Sequence, residues 1–348
     1  MTTRAGITAL GAYAPPTVLE NADLERRMDT SDEWIRTRTG IRRRHVAADD
    51  EFTSDLAFRS VEDLQGRFGE AALDGVDMVV VATNTPDAFF PATAALVQHR
   101  FGLNAGAFDL LAACPGWLYA LSAAKAYVES GQARKVLAIG AEALTKLVDW
   151  NDRSTAVLFG DGAGAAVIEP VEAPYGLAPM VLGADGGGAQ HLHAGAVGRC
   201  LPDGSPLTNK VQMNGREVFK FAVRVMDTAT VQAIEAAGLT ADDVSLFVPH
   251  QANFRIIDAA RERLGLHPDR VVVTVDEYGN NSTASIPLAL MHALDAGRIH
   301  DGDRLLMVAF GGGLSWAAGV TTWGGGRYGD GRRHGASAMR AASEVAAP

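Results

Sequence analysis

The sequence predicts an α/β protein built from two related halves, and three observations carry this. Apolar runs of strand length alternate with stretches of helical period along the chain. Glycine is abundant, at 38 residues, and aromatics make up only 7%, a balance suited to many tight turns. The order of elements in the first half recurs in the second at an offset of 166 to 169 residues. A length of 348 residues suffices for about two domains, or for one large unit with a sizeable core.

In chain order, residues 76–82 (VDMVVVA) form a short β-rich run suited to a buried parallel strand. Residues 92–101 and 117–130 read as helices, and 135–140 (KVLAIG) as a second buried strand. Residues 157–168 carry strand character on both sides of a glycine cluster. A long helix is expected over 214–237, a strand at 244–249 and a helix at 252–264. A strand at 271–275 (VVVTV), a helix at 284–295 and a strand at 304–310 complete the series. Strand 76–82 matches 244–250, helix 117–130 matches 284–296, and strand 135–140 matches 304–310. The halves are set at 1–170 and 171–326. Residues 327–348, rich in Gly, Arg and Ala, are expected to be a disordered tail.

Composition excludes several classes. The net charge of −10 argues against a general nucleic-acid binder. Two cysteines in this length rule out a disulfide framework and a Cys-rich zinc site, and fit a reduced cytoplasmic protein. The N-terminus has no basic stretch followed by an apolar run, and no window of 18 apolar residues occurs, so neither a signal peptide nor a membrane span is expected.

The candidate chemistry sits on three residues. An apolar run leads into Cys114, and Pro115 follows at a first helical position, where its missing N–H costs nothing. A cysteine at a helix N-terminus meets a dipole and free N–H groups that favour a thiolate and bind an oxyanion. His250 closes a buried strand, on the side where parallel sheets bind ligands. Asn280 lies in a Gly-Asn turn ahead of a helix, and adding 166 to the Cys114 position lands on it. A duplicated fold would bring both helix N-termini to one junction. Cys200 lies in a polar glycine-rich loop and offers no partner. The cluster at 159–166 resembles a nucleotide loop but leads into strand residues, so close backbone packing is the expected role. Gly311–Gly313 follow a strand, where backbone N–H groups could approach a reacting carbonyl oxygen. No P-loop or metal motif is present.

With these residues in place, the sequence closely resembles the β-ketoacyl-acyl-carrier-protein synthase III family, the initiating condensing enzymes of bacterial fatty-acid synthesis. The resemblance covers about residues 5–323 and rests on several blocks together. These are Asp29-Thr-Ser-Asp-Glu-Trp-Ile35, Thr37-Arg-Thr-Gly-Ile41, Ala112-Ala-Cys114, Leu158-Phe-Gly-Asp-Gly-Ala-Gly164, Asn214-Gly-Arg-Glu-Val-Phe-Lys220, Val248-Pro-His-Gln-Ala-Asn253, Tyr278-Gly-Asn280 and Ala309-Phe-Gly-Gly-Gly313. It implies a thiolase-like, pseudo-duplicated five-layer α-β-α-β-α architecture with two mixed sheets, and a homodimer.

The resemblance also implies roles. Cys114 would take the acyl group of a short acyl-CoA, with the N–H groups of Cys114 and Gly312 as oxyanion hole. His250 and Asn280 would stabilise the enolate formed when malonyl-acyl-carrier protein loses CO2, and Phe310 matches an aromatic that supports this loss. Trp34 and Arg153 resemble a pair that clamps the CoA adenine, and Asn253 a residue near the pantetheine arm. Arg216, Lys220 and Arg224 share one helix face by their spacing. With Gln251 and Arg255 they are the expected contacts of the acidic carrier protein. Phe90 resembles a residue crossing the dimer interface to close the acyl pocket. No cofactor or metal is implied, and neither nucleic acid nor membrane is an expected partner. Pro115 and Asn281 depart from the residues usual in the family. Two rival readings are a cysteine hydrolase using the order Cys114, His250, Asn280, and a related thiolase-fold acyltransferase or polyketide-type synthase.

Overall fold

Five strands of the computed structural model, which describes residues 3–195 and 197–324, form a first mixed sheet. They are β1 (Arg4–Tyr13), β2 (Met78–Ala82), β3 (Gly106–Leu110), β4 (Val136–Glu142) and β5 (Gly162–Val171). Their order is β1-β5-β4-β2-β3, with β4, β2 and β3 parallel and β5 antiparallel to both neighbours. The second sheet holds β6 (Gly176–Leu177), β7 (Val181–Ala184), β8 (Leu246–Pro249), β9 (Arg304–Gly311) and β10 (Ser315–Thr322). Its order is β8-β9-β10-β6, with β7 also on β10; β8 is parallel to β9, and β10 is antiparallel to its neighbours. Beyond β8, Val271 adds a parallel bridge to Phe247. The path from Val271 to β6 therefore repeats the path from β3 to β1.

Seven longer helices complete the layers: α1 (Asp32–Thr39), α2 (Thr53–Phe68), α3 (Thr93–Arg100), α4 (Gly116–Ser130), α5 (Gly215–Ala236), α6 (Phe254–Arg263) and α7 (Ser285–Asp295). Alternation along the strands decides which helices each face meets. In β2, Val79 and Val81 join Leu56, Leu64 and Val97 of α2 and α3, whereas Val80 and Ala82 join Leu118 and Leu121 of α4. In β9, Leu306 and Val308 join Phe221 and Met226 of α5 with Ile257 of α6, whereas Leu305 and Met307 face α4 and α7. The layers are thus α2 and α3, first sheet, α4 and α7, second sheet, α5 and α6. This is the five-layer thiolase-like arrangement. Fully buried on both faces, the central strands read as continuous apolar runs.

Two expectations need correction. Residues 271–275 do not make a strand, because the side chain of Gln251 takes the place of a neighbouring backbone. Its Oε1 accepts the N–H groups of Thr274 and Val275 at 2.8 and 3.1 Å, and its Nε2 donates to Val272 O at 3.1 Å. The chain then turns into a short helix at Val275–Tyr278.

The offset of 166 is also wrong at the junction. Ala113 and Ser282 both adopt left-handed backbone (φ 53° and 49°), and each stands three residues before its helix, α4 or α7. That spacing makes the local offset 169, so the counterpart of Cys114 is Thr283. Asn280 reaches the same junction from three residues upstream.

The glycine cluster at 159–166 packs backbone on backbone, as expected. A Cβ on Gly160 would lie 2.4 Å from Tyr278 O, and one on Gly164 would lie 2.3 Å from Pro287 Cβ. This lets α7 settle against β5. The tail expected at 327–348 lies outside the described residues.

Candidate active site

A cavity of about 1110 Å³ opens where α4 and α7 begin, and Cys114, His250 and Asn280 all line it. Each arrives on a different element. Ala113 turns the chain through a left-handed conformation that costs a non-glycine residue roughly 1–2 kcal/mol, and Gly116 N–H donates to its carbonyl at 2.8 Å. Cys114 is thereby presented at the entrance to α4. Opposite, Gly311 lies against it; a Cβ there would meet Cys114 N at 2.6 Å. Only glycine lets β9 come this close.

His250 follows β8. Its N–H donates to Val308 O at 2.8 Å, and its Nδ1 lies 2.6 Å from Ser285 Oγ. Its Nε2 is buried and has no hydrogen-bond partner among the described residues. The Phe310 ring packs edge-on against the imidazole, with centroids 5.5 Å apart. Burial pushes the His250 pKa down to about 3, so the ring is neutral.

Asn280 is pinned by its backbone, donating N–H to Leu158 O at 2.9 Å and accepting Gly160 N–H at 3.0 Å. Its Oδ1 accepts Ser282 N–H at 2.9 Å, which leaves the Nδ2 hydrogens as the donors for the cavity. Asn281 is a different case: it is buried and donates Nδ2–H to Asp161 O at 2.9 Å. It does not line the cavity, so Asn280 is the amide that faces it.

The electrostatics of Cys114 run against the sequence expectation. Burial raises its thiol to about 12, with a hydrogen bond from Ser282 pulling down and the charge of Glu142 pushing up. Desolvation outweighs the short α4 terminus, and the resting group is a thiol. Sequence reasoning missed a lesser contributor to this shift, Glu142. Glu142 ends β4 fully buried, and burial raises its carboxyl to about 7. The available signal was a charged residue closing an otherwise apolar strand.

Trp34 and Arg153 lie together at the mouth, the guanidinium 4.8 Å from the indole centroid. Asn253 lines the cavity and caps α6, its Oδ1 accepting Arg255 N–H at 2.9 Å and its Nδ2 donating to Arg38 O at 3.0 Å. Arg216, Lys220 and Arg255 line the rim, and Arg224 is exposed one turn further along α5. Lys220 also pairs with Glu217 at 2.7 Å. Gln251, expected among the carrier-protein contacts, is buried and fully hydrogen-bonded inside; no partner can reach it. Phe90 stands 86% exposed beside Phe89. Gly312 lines the cavity, and its Cα faces Leu192 O. Among the described residues no group of three or more His, Cys, Asp or Glu side chains is placed to hold a metal ion.

Models of the 3-oxoacyl-[acyl-carrier-protein] synthase III family match residues 108–196 and, for its C-terminal part, 234–323. A β-ketoacyl-[acyl-carrier-protein] synthase III of Symbiobacterium thermophilum is 54% identical over 325 residues, covering 92% of this chain and 98% of its own. The chain belongs to this synthase III family. It is accordingly an acyltransferase of the condensing type, which sets the hydrolase reading aside. The synthase III crystal structure from Thermus thermophilus superposes with a TM-score of 0.91 at 68% identity, over 92% of this chain and 99% of that one. The priming β-ketosynthase of the R1128 polyketide pathway superposes with a TM-score of 0.84 at 38% identity, over 92% and 97%. The cavity of this synthase III opens where α4 and α7 begin, between the two sheets.

Proposed function

We propose that this synthase III condenses a short acyl-CoA primer with malonyl-acyl-carrier protein, giving a 3-oxoacyl-acyl-carrier protein, CO2 and CoA. The observation that carries the reading is the meeting of Cys114, His250 Nε2 and Asn280 Nδ2 in one cavity. Cys114 Sγ attacks the thioester carbonyl, and CoA leaves. The oxyanion is held by backbone N–H groups, those of Cys114 and Gly312 in our assignment. Malonyl-carrier protein follows. As its C–CO2 bond breaks, His250 and Asn280 donate hydrogen bonds to the thioester oxygen that gains enolate charge. A neutral imidazole suits this task, because it donates without surrendering its proton. The Phe310 ring beside His250 gives the carboxylate an apolar neighbour, which favours its loss as CO2. The enolate carbon then attacks the acyl-Cys114 carbonyl, and the Sγ–C bond breaks.

Trp34 and Arg153 hold the CoA adenine, with Asn253 near the pantetheine arm. The rim cations Arg216, Lys220, Arg224 and Arg255 receive the acidic carrier protein, a local patch on a chain of net charge −10. Phe90 closes the acyl pocket of a partner in a homodimer. The halves 1–170 and 171–326 act as one unit. No helix among the described residues is long and apolar enough to cross a membrane, and we place the enzyme in the cytoplasm. No cofactor is assigned. The likeness to the polyketide priming enzyme supports a second reading in which the carrier belongs to a polyketide pathway.

Intact-mass measurement after mixing with a panel of straight and branched acyl-CoAs tests the reading. The acyl increment is expected on the wild type and absent from Cys114→Ala. A wild type unmodified across the panel overturns it, and turnover with fatty-acid against polyketide carrier separates the two carriers.

A further inference from the structure

Arg44 takes no part in the condensation above, yet it is among the largest side chains with no exposed surface. It stands on the short strand Arg43–His45. Glu20 and Asp23 attract its guanidinium by charge but pair with Arg43 and Arg26 instead. Burial lowers its pKa to about 10, so the group stays charged at neutral pH. A buried charge is costly unless hydrogen bonds compensate it. Those of Arg44 go to main-chain carbonyls: Nη2 donates to Val157 O at 2.8 Å and Nη1 to Leu19 O at 3.1 Å, while Nε has no partner among the described residues.

Val157 leads into the segment on which Asn280 docks. Leu158 O accepts the Asn280 N–H at 2.9 Å, and the Asn280 carbonyl accepts Gly160 N–H at 3.0 Å. Phe159 and Asn280 thus form a parallel bridge that belongs to no strand, so no longer ladder holds it in register. Arg44 packs against both sides of it. A Cβ on Gly160 would lie 3.2 Å from Arg44 Cβ, and one on Gly279 would lie 3.1 Å from it. Gly279, left-handed at φ 67°, is the residue just before Asn280. Val157, Leu158 and Phe159 line the cavity, and Arg44 does not.

We propose that Arg44 is a positioning residue for Asn280. Its guanidinium clamps the 157–160 segment, and its stem seats Gly160 and Gly279, so it fixes where the Asn280 amide enters the cavity. Asn280 Oδ1 accepts Ser282 N–H, and a shift of the bridge carries the Nδ2 donors with it. Cys114 is placed by other means, the left-handed turn at Ala113 and the close approach of Gly311. The two half-reactions therefore depend on Arg44 unequally. The inference rests on Asn280 donating to the enolate oxygen as proposed above.

The test measures malonyl-carrier-protein decarboxylation and, at saturating acetyl-CoA, rapid-quench acetylation of Cys114 by intact mass. The proteins are wild type, Arg44→Lys, Arg44→Met, Asn280→Ala, and Arg44→Lys combined with Asn280→Ala. Arg44→Lys keeps the charge but loses the planar fork that spans two carbonyls, and should decarboxylate about 10-fold more slowly. Arg44→Met should lose about 100-fold, the scale of a reacting group displaced by about 1 Å. Acetylation should stay within about threefold of wild type in both. In the Asn280→Ala background, where no amide is left to position, Arg44→Lys should slow the residual decarboxylation by less than about twofold. Unimpaired decarboxylation in the Arg44 variants, an equal fall in both half-reactions, or an undiminished loss in the Asn280→Ala background overturns the proposal. If Arg44→Met does not fold, Arg44→Lys carries the comparison. Asn280→Ala decarboxylating as fast as wild type overturns the functional reading instead.

Discussion

His250 Nδ1 lies 2.6 Å from Ser285 Oγ. Ser285 Oγ also accepts the Gln251 N–H at 3.4 Å, and among the described residues its own hydrogen has no acceptor other than Nδ1; with that hydrogen placed there, the ring carries its proton on Nε2. The first residue of α7 thereby sets the tautomer of the residue that follows β8. An Nε2–H is the form that donates to an enolate oxygen.

Ser285→Ala should therefore slow malonyl-carrier-protein decarboxylation about 10- to 100-fold, the usual cost of losing an orienting partner. Acetylation of Cys114 should stay within about threefold, since that step does not use the ring. Separate half-reaction rates check this, and equal losses in both would remove Ser285 from the role.

Gln251→Ala should act on stability and not on carrier-protein recognition. Four hydrogen bonds join its side chain to Pro249, Val272, Thr274 and Val275. At about 1 kcal/mol each, with some relaxation, the loss should be about 2–4 kcal/mol. Urea unfolding measures it, and KM for the carrier protein should match wild type. A selective rise in that KM would contradict the burial.

Trp34 and Arg153 stack on each other at 4.8 Å, so a flat adenine must part them. CoA should change the tryptophan fluorescence, and Trp34→Phe should lose most of that change. Arg153→Ala should raise KM for acyl-CoA about 5- to 30-fold, corresponding to about 1–2 kcal/mol of stacking, with kcat nearly unchanged. A fall in kcat at constant KM would place the pair elsewhere in the cycle.

Stability against pH should show two opposed contributions. Burial holds His250 at about 3, below its unfolded 6.5, so acidification through this interval protonates the unfolded chain first and lowers stability. Burial holds Glu142 at about 7, above its unfolded 4.5, so here stability falls as pH rises. Between pH 4.5 and 6.5 the two offset each other. Glu142→Gln should lose stability on acidification more steeply than wild type, by about 1 kcal/mol per pH unit. His250→Asn should gain stability relative to wild type over the same interval. Urea midpoints at stepped pH test both, and curves parallel to wild type would contradict the burial of these groups.

The sequence made legible whatever was buried on both faces or punctuated by glycine. Residues 78–82 and 304–311 announced themselves as apolar runs, and Cys114-Pro115 marked the start of α4. Strands β1 and β10 went unread because RAGITALGAY and SWAAGVTT are rich in Ala and Gly, with few β-branched residues to signal extension. Residues 271–275 misled for the opposite reason: strand-forming residues whose partner is a glutamine side chain. Of the candidate site, Cys114 and His250 were read from local pattern, and Asn280 from its Gly-Asn turn together with an offset that the junction does not keep. Glu142 and Ser285 were not, since what they touch lies far away in sequence: Glu142 bonds Thr283, 141 residues on, and Ser285 bonds His250, 35 residues back.

The shared middle layer has a consequence during synthesis. A nascent chain that has emerged only as far as Val171 holds β1 to β5 and α4, but the apolar underside of that helix still lacks α7 and the second sheet. Folding of the first half therefore cannot close until the ribosome has delivered Asp295 and the strands after it, and until then a hydrophobic face is open to chaperones or to other nascent copies.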